Sequence, residues 1–100
     1  MTCTYQIVCW RDIPAQVKVR AGRQRLSWPL SKRFQSAIDQ AAMHAGKSET
    51  DEYLAEWRTQ GAGEREGEAE AVAEALLAER ENGFPEERLS RLAARGGWEA

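Results

Sequence analysis

Apolar and polar residues alternate with a period of two at the start of the chain and recur at helical spacing further on. Over residues 2–10, Cys3, Tyr5, Ile7 and Cys9 fall on one side and Thr4, Gln6, Val8 and Trp10 on the other. That alternation of β-forming residues predicts a half-buried strand. Residues 15–21 repeat it, with Ala15, Val17, Val19 and Ala21 inward and Gln16, Lys18 and Arg20 outward. Between the two runs, Pro14 lacks an N–H and biases Ile13 toward extended geometry, so residues 11–14 are expected to turn the chain back into an antiparallel hairpin. After Gly22 the alternation resumes over residues 23–28, a short third strand ended by Pro29.

The period then changes. Ser31 is a suitable N-cap, Phe34, Ala37, Ile38, Ala41, Ala42 and Ala45 share one stripe, and Gly46 suits a helix stop. A helix over 31–45 is expected to lie close on the sheet, with Phe34 and Ile38 meeting Ile7, Val17 and Val19. A second helix is predicted over 51–59. Ser48 or Thr50 would cap it, Asp51 and Glu52 lie near its positive end, and Tyr53, Leu54 and Trp57 share a face completing the core. Met43 falls opposite the first helix's stripe. Gly61-Ala62-Gly63 opens a charged, glycine-rich stretch that reads as a flexible linker over 61–67. Beyond it, Ala69, Val72, Ala73, Leu76 and Leu77 make one stripe of an Ala/Glu-rich helix over 68–81. Pro85 then starts a last helix with Leu89, Leu92 and Ala93 inward, ended by Gly96-Gly97.

The expected fold is therefore α+β: a two- or three-stranded antiparallel sheet packed by helices, with a C-terminal acidic helical hairpin. Its divisions are a core domain over 1–60, the linker over 61–67 and the acidic helical segment over 68–100. The two C-terminal stripes either pack on the first half or face another chain. With 42% hydrophobic and 30% charged residues, 100 residues suffice for one core that buries roughly 60–70% of the unfolded surface. Neither a secretory leader nor an apolar run near the ~20 residues that span a bilayer is recognisable, so no membrane association and a cytoplasmic location are expected. One histidine and two cysteines at non-ligand spacing argue against a metal site, and no cofactor motif is present. On one strand Cys3 and Cys9 would stand about 20 Å apart, too far for a disulfide.

Charge changes the picture more than composition does. Residues 1–47 carry eight Lys/Arg against two acids and residues 48–100 six Arg against fourteen acids. Either the acidic half neutralises the basic half internally, or the basic half awaits an anionic partner. On the outward sheet face, Lys18, Arg20, Arg23 and Arg25 accompany Val8, Trp10 and Gln16, an arrangement suited to phosphates. The bland alternative is a solvated face partly covered by the acidic helix. At the hairpin corner, Trp10, Arg11, Asp12 and Gln16 form a candidate partner-binding site, an aromatic beside a guanidinium fork on a short loop. Equally, Asp12 caps its own turn and Arg11 pairs locally. His44, near a helix C-terminus, has no partner suggesting acid–base chemistry. Arg88, Arg91 and Arg95 make a basic ridge in which Glu87 and Arg91 form an ordinary i,i+4 pair.

The ordered set Trp10-Arg11-Asp12-Ile13-Pro14-Ala15-Gln16-Val17, Arg33-Phe34, Ala37-Ile38-Asp39 with Ala41-Ala42-Met43, and Tyr53-Leu54-Ala55-Glu56-Trp57 resembles a family of small bacterial proteins called "virulence factor". The resemblance covers about residues 4–60. Its members are short, cytoplasmic and encoded near corrinoid- and folate-dependent methyl-transfer proteins. The resemblance therefore implies a non-enzymatic accessory module in one-carbon metabolism, with a methyltransferase or corrinoid protein as partner. It brings no catalytic residues with it. The alternative function is a small binder of nucleic acid or a phosphorylated ligand through the basic sheet face. A small enzyme completed by a partner or dimer mate is a third reading.

Overall fold

A computed structural model of the chain describes residues 1–99. The alternation at the start is a hairpin: β1 (Thr2–Trp10) and β2 (Ile13–Ala21) pair antiparallel with Ile7 opposite Val17 and Tyr5 opposite Val19. The turn between them is only Arg11-Asp12, and Arg11 takes φ 52, since two-residue hairpin loops need positive φ to match the strands' twist. β3 (Gln24–Pro29) follows a tight Gly22-Arg23 turn and pairs with β2, placing Ser27 opposite Lys18 and Arg25 opposite Arg20.

The sheet has one strand more than the pattern suggested. β4 (Trp57–Glu66) lies on the free side of β1, giving the antiparallel order β3-β2-β1-β4. It takes up the end of the expected second helix and nearly all of the expected 61–67 linker. The glycines that suggested flexibility serve packing and shape instead. Gly63 sits opposite Tyr5, where an added Cβ would approach the Tyr5 hydroxyl oxygen to 2.8 Å. Gly61 has φ +64 where the register shifts against β1, a bulge that bends the strand.

Four helices complete the chain: α1 (Lys32–His44), α2 (Thr50–Ala55), α3 (Ala69–Gly83) and α4 (Glu86–Ala94). The core has two parts. In one, Ala69, Val72, Ala73 and Leu76 of α3 cover Cys3, Ile7, Val17 and Val19. In the other, Phe34 and Ile38 of α1 pack with Trp10 and Ile13 of the hairpin and Leu89 and Leu92 of α4. The expected contact of α1 with Ile7, Val17 and Val19 is thus replaced by α3, whose small Ala69 and Ala73 permit close approach to the strands. The helices over 69–94 pack on the first half; the last residue of the expected 68–100 segment, Ala100, lies outside the described residues.

Local details follow from these contacts. Ser31 occupies the N-cap of α1 but makes no side-chain cap. Its N–H and hydroxyl instead donate to the Glu81 carboxylate at 2.7 and 2.9 Å, joining the start of α1 to the end of α3. Leu54 is 57% exposed and Met43 66% exposed, so Leu54 is not part of the expected aromatic core face. Tyr53 and Trp57 do join the second core part from their half-buried positions.

Candidate functional site

Chemistry-bearing residues gather at two places near the sheet: the hairpin turn and the bare middle of the face opposite α3. The turn is the better connected. Trp10 is fully buried, stacks on Tyr53 at 5.7 Å between ring centroids, and donates its indole N–H to the Tyr53 carbonyl at 2.8 Å. Arg11 is only 7% exposed. Its guanidinium lies against the rings of Trp10 and Trp98, 5.1 and 4.9 Å from their centroids. Nη1 donates to the Gly96 carbonyl at 2.8 Å and Nη2 to Glu56 Oε1 at 2.9 Å, while Nε is buried without a partner. The Arg11 hydrogen bond holds the Glu56 carboxyl below its ordinary range, against a smaller opposing effect of burial.

Asp12 fastens the C-terminal segment to the same turn. Its N–H donates to the Gly97 carbonyl at 2.9 Å, and its carboxylate accepts the Glu99 N–H at 2.8 Å and Gln60 Nε2 at 3.1 Å. Gly97 has φ 95, and a Cβ there would come within 3.0 Å of the Trp10 ring and 3.2 Å of Arg11. Gln16 is not part of this cluster: its side-chain carbonyl accepts the Ser27 hydroxyl at 3.2 Å across to β3. The proposed corner residues are therefore divided. Trp10 and Arg11 lie inside, Asp12 ties down residues 97–99, and Gln16 faces β3. Both alternatives read for Asp12 and Arg11 at the turn understate their reach, because the bonds of both extend to the far end of the chain. Glu56, Gln60, Gly96, Gly97 and Trp98 were not read as site residues in the sequence. The isolated tryptophan after Gly96-Gly97 was the available signal, an apolar residue at the end of an otherwise polar segment.

On the other side, the sheet face away from α3 is uncovered in its middle. Thr4, Gln6, Lys18, Arg20, Arg25 and Ser27 are all exposed there and line a shallow trough of about 740 Å³. β4 adds Ala62 and Glu64 at its edge. Arg23 is exposed in the β2–β3 turn and does not line the trough, and Trp10 is absent from it because it is buried at the hairpin end. α3 packs on the opposite face, so the acidic helix does not cover these cations. Arg20 and Arg25 stand directly opposite one another in the β2–β3 ladder, a like-charge juxtaposition that costs stability. Among the described residues Lys18, Arg20, Arg23 and Arg25 form no ion pair, whereas Arg11 and Arg33 pair with Glu56 and Glu81. Internal neutralisation of the basic half thus reaches Arg11 and Arg33 and stops short of the sheet face.

The remaining candidates are quieter. Cys3 and Cys9 are free, buried thiols, and burial pushes the Cys9 thiol up to about 11, far from a reactive thiolate. His44 is exposed in the last turn of α1. Among the described residues no three His, Cys, Asp or Glu side chains come together to hold a metal, and no helix is long and apolar enough to cross a membrane.

Neither a curated protein nor a solved structure matches the chain. A family match exists and is wider than the resemblance read over residues 4–60. It runs from Val8 in β1 through the turn, α1 and β4 into α4, and so includes the C-terminal helices that share the core with the hairpin. Matched over residues 8–93, the chain belongs to the family described as "Virulence factor".

Proposed function

We propose that the protein is a non-enzymatic binding module that holds a phosphate-bearing ligand on the open face of its sheet. The observation that carries this reading is the directly opposed pair Arg20 and Arg25, with Lys18 two residues along β2 from Arg20 and, among the described residues, no acid paired to any of the three. A phosphate placed between the two guanidiniums converts a repulsive pair into a clamp of charge-assisted hydrogen bonds. Gln6 supplies a neutral donor beside it, the Ser27 and Thr4 hydroxyls being engaged with the Gln16 side-chain carbonyl and the Arg20 backbone carbonyl. A trough of about 740 Å³ suits a ligand of nucleotide size. Among the described residues the aromatic rings nearest the trough, Tyr5 and Trp28, are half-buried against the core under α3. The ligand is accordingly read through its phosphate and not by base stacking, which sets single-stranded nucleic acid aside.

In this reading the accessory role in corrinoid- or folate-linked methyl transfer is served from the sheet face. The Trp10–Gln16 corner offers no comparable surface, since Trp10 and Arg11 are interior. The test is titration of the protein with adenosine monophosphate at low and at moderate salt, with Arg25→Gln as the variant. Affinity should fall steeply as salt rises, and Arg25→Gln should lose about tenfold or more. The same substitution should leave the unliganded protein equally stable or more stable by up to about 1 kcal/mol, because it removes the Arg20–Arg25 repulsion. Absence of binding at low salt, or binding indifferent to Arg25, would rule the proposal out.

A further inference from the structure

A second concentration of cations lies away from the sheet, on α4. Arg88, Arg91 and Arg95 are three and four residues apart, hence on one side of the helix, and they line a concavity of about 270 Å³ together with Leu92 and Glu99. The anion in it is the protein's own. Glu99 Oε1 accepts Arg88 Nε at 3.0 Å and a second bond from Arg88 Nη2, and the Glu99 backbone carbonyl accepts Arg95 Nη1 at 2.8 Å. Arg91 has no hydrogen-bond or ion-pair partner among the described residues, and the expected pair with Glu87 is not formed. The Glu99 N–H is held by Asp12 at 2.8 Å, so the carboxylate is presented by a strap that is fixed to the hairpin turn.

We infer that the Arg88, Arg91 and Arg95 pocket is a binding site for the phosphate group of a small phosphorylated ligand, and that Glu99 is its built-in competitor. Among the described residues one carboxylate, engaged through one oxygen by one arginine, leaves two of three positive charges without a counter-charge. A phosphate monoester brings close to two negative charges and three acceptor oxygens, enough to engage every guanidinium in the pocket. The lining offers a phosphate three guanidiniums and offers its carrier only Leu92, so the group is recognised and its carrier is not. The inference uses no residue of the sheet face and stands independently of the function proposed there.

The competition makes the site testable with conservative variants of the full chain, all built on Arg25→Gln so that binding at the sheet face is weakened. Inorganic phosphate and O-phosphoserine are titrated at low salt, with the Leu92 backbone amide signal as local reporter. Glu99→Gln keeps the backbone bonds to Asp12 and Arg95 and removes the competing charge, so phosphate affinity should rise about threefold to fivefold, the size of one exposed ion pair. Arg91→Gln breaks no side-chain hydrogen bond or ion pair among the described residues and should cost about tenfold with Glu99 present or replaced. The two probes should bind within about threefold of each other. The inference is lost if phosphate fails to bind the Glu99→Gln protein, if Arg91→Gln changes nothing, or if Glu99→Gln weakens binding.

Discussion

Arg11 occupies a left-handed backbone position that glycine, asparagine or aspartate fill more easily, and its φ of 52 is the one such value on a non-glycine residue among the described positions. The side chain explains the choice. It lies between two indoles, binds a carbonyl near the end of the chain, and pairs with a half-buried carboxylate. Arg11→Ala removes the nearer of the two guanidiniums beside that carboxylate, Arg58 remaining at 3.9 Å, and should cost about 2 kcal/mol. Arg11→Lys restores the charge but not the flat, forked geometry, and should remain destabilised by about 1 kcal/mol or more. The pH dependence has a definite sign. The folded-state pKa of Glu56 lies below its ordinary 4.5, so the pair stabilises the protein fully above that value and progressively less as pH falls through the folded value. Urea midpoints of the wild type and Glu56→Gln should therefore differ most at neutral pH and converge below about pH 4.5. A constant gap down to pH 3 would mean that ionised Glu56 is not what Arg11 holds.

At the scale of elements, β4 shows how packing can be mistaken for flexibility. Gly63 provides room for the Tyr5 ring, over which the Arg65 guanidinium lies at 5.4 Å from the centroid. Gly63→Ala should cost about 1–3 kcal/mol by crowding that ring, and most of the loss should vanish in a Tyr5→Ala background, measured as a double-mutant cycle. The cost would persist in both backgrounds if the glycine were needed only for chain freedom. β1, β2, β3 and α1 were legible because their apolar residues keep a clear period of two or of 3.6. β4 was not, since the Trp57–Glu66 strand carries few β-forming side chains and contacts the sheet along one edge only. Strict alternation also misplaced Trp10. Cys9 and Trp10 are both buried, one in the core under α3 and the other between α1 and α4, because the hairpin runs into the second core part, with a register shift between Val8 and Cys9. The basic residues of the open face were read correctly from their outward positions, apart from Arg23 in the turn. Their freedom from ion pairs depended on which face α3 covers, and a helix stripe cannot specify that alone.

At the scale of the whole molecule, the acidic C-terminal half is part of the core and not an appendage. Among the described residues three of its ion pairs reach the basic half: Arg11–Glu56 at 2.9 Å, Arg33–Glu81 at 3.0 Å and the Met1 ammonium with Glu66 at 3.5 Å. Apolar burial joins the halves more firmly. Cutting the chain after residue 67 would strip α3 from Cys3, Ile7, Val17 and Val19, each at most 1% exposed, and α4 from Trp10, Ile13 and Phe34. Uncovering large apolar side chains costs about 1.5–3 kcal/mol each, so losing cover from the six larger than Cys3 is comparable with the roughly 5–15 kcal/mol that holds a domain together. The 1–67 piece should therefore show no cooperative unfolding transition, although it retains every strand. The full chain should unfold in one step, with far-UV circular dichroism and tryptophan fluorescence giving coincident curves. The fluorescence is informative because its reporters sit in both halves: Trp10, Trp28 and Trp57 in the sheet and Trp98 against Arg11 at the chain's end. Two separated transitions, or a cooperative transition in the 1–67 piece, would mean that the sheet has a core of its own and that the C-terminal helices only dock on it.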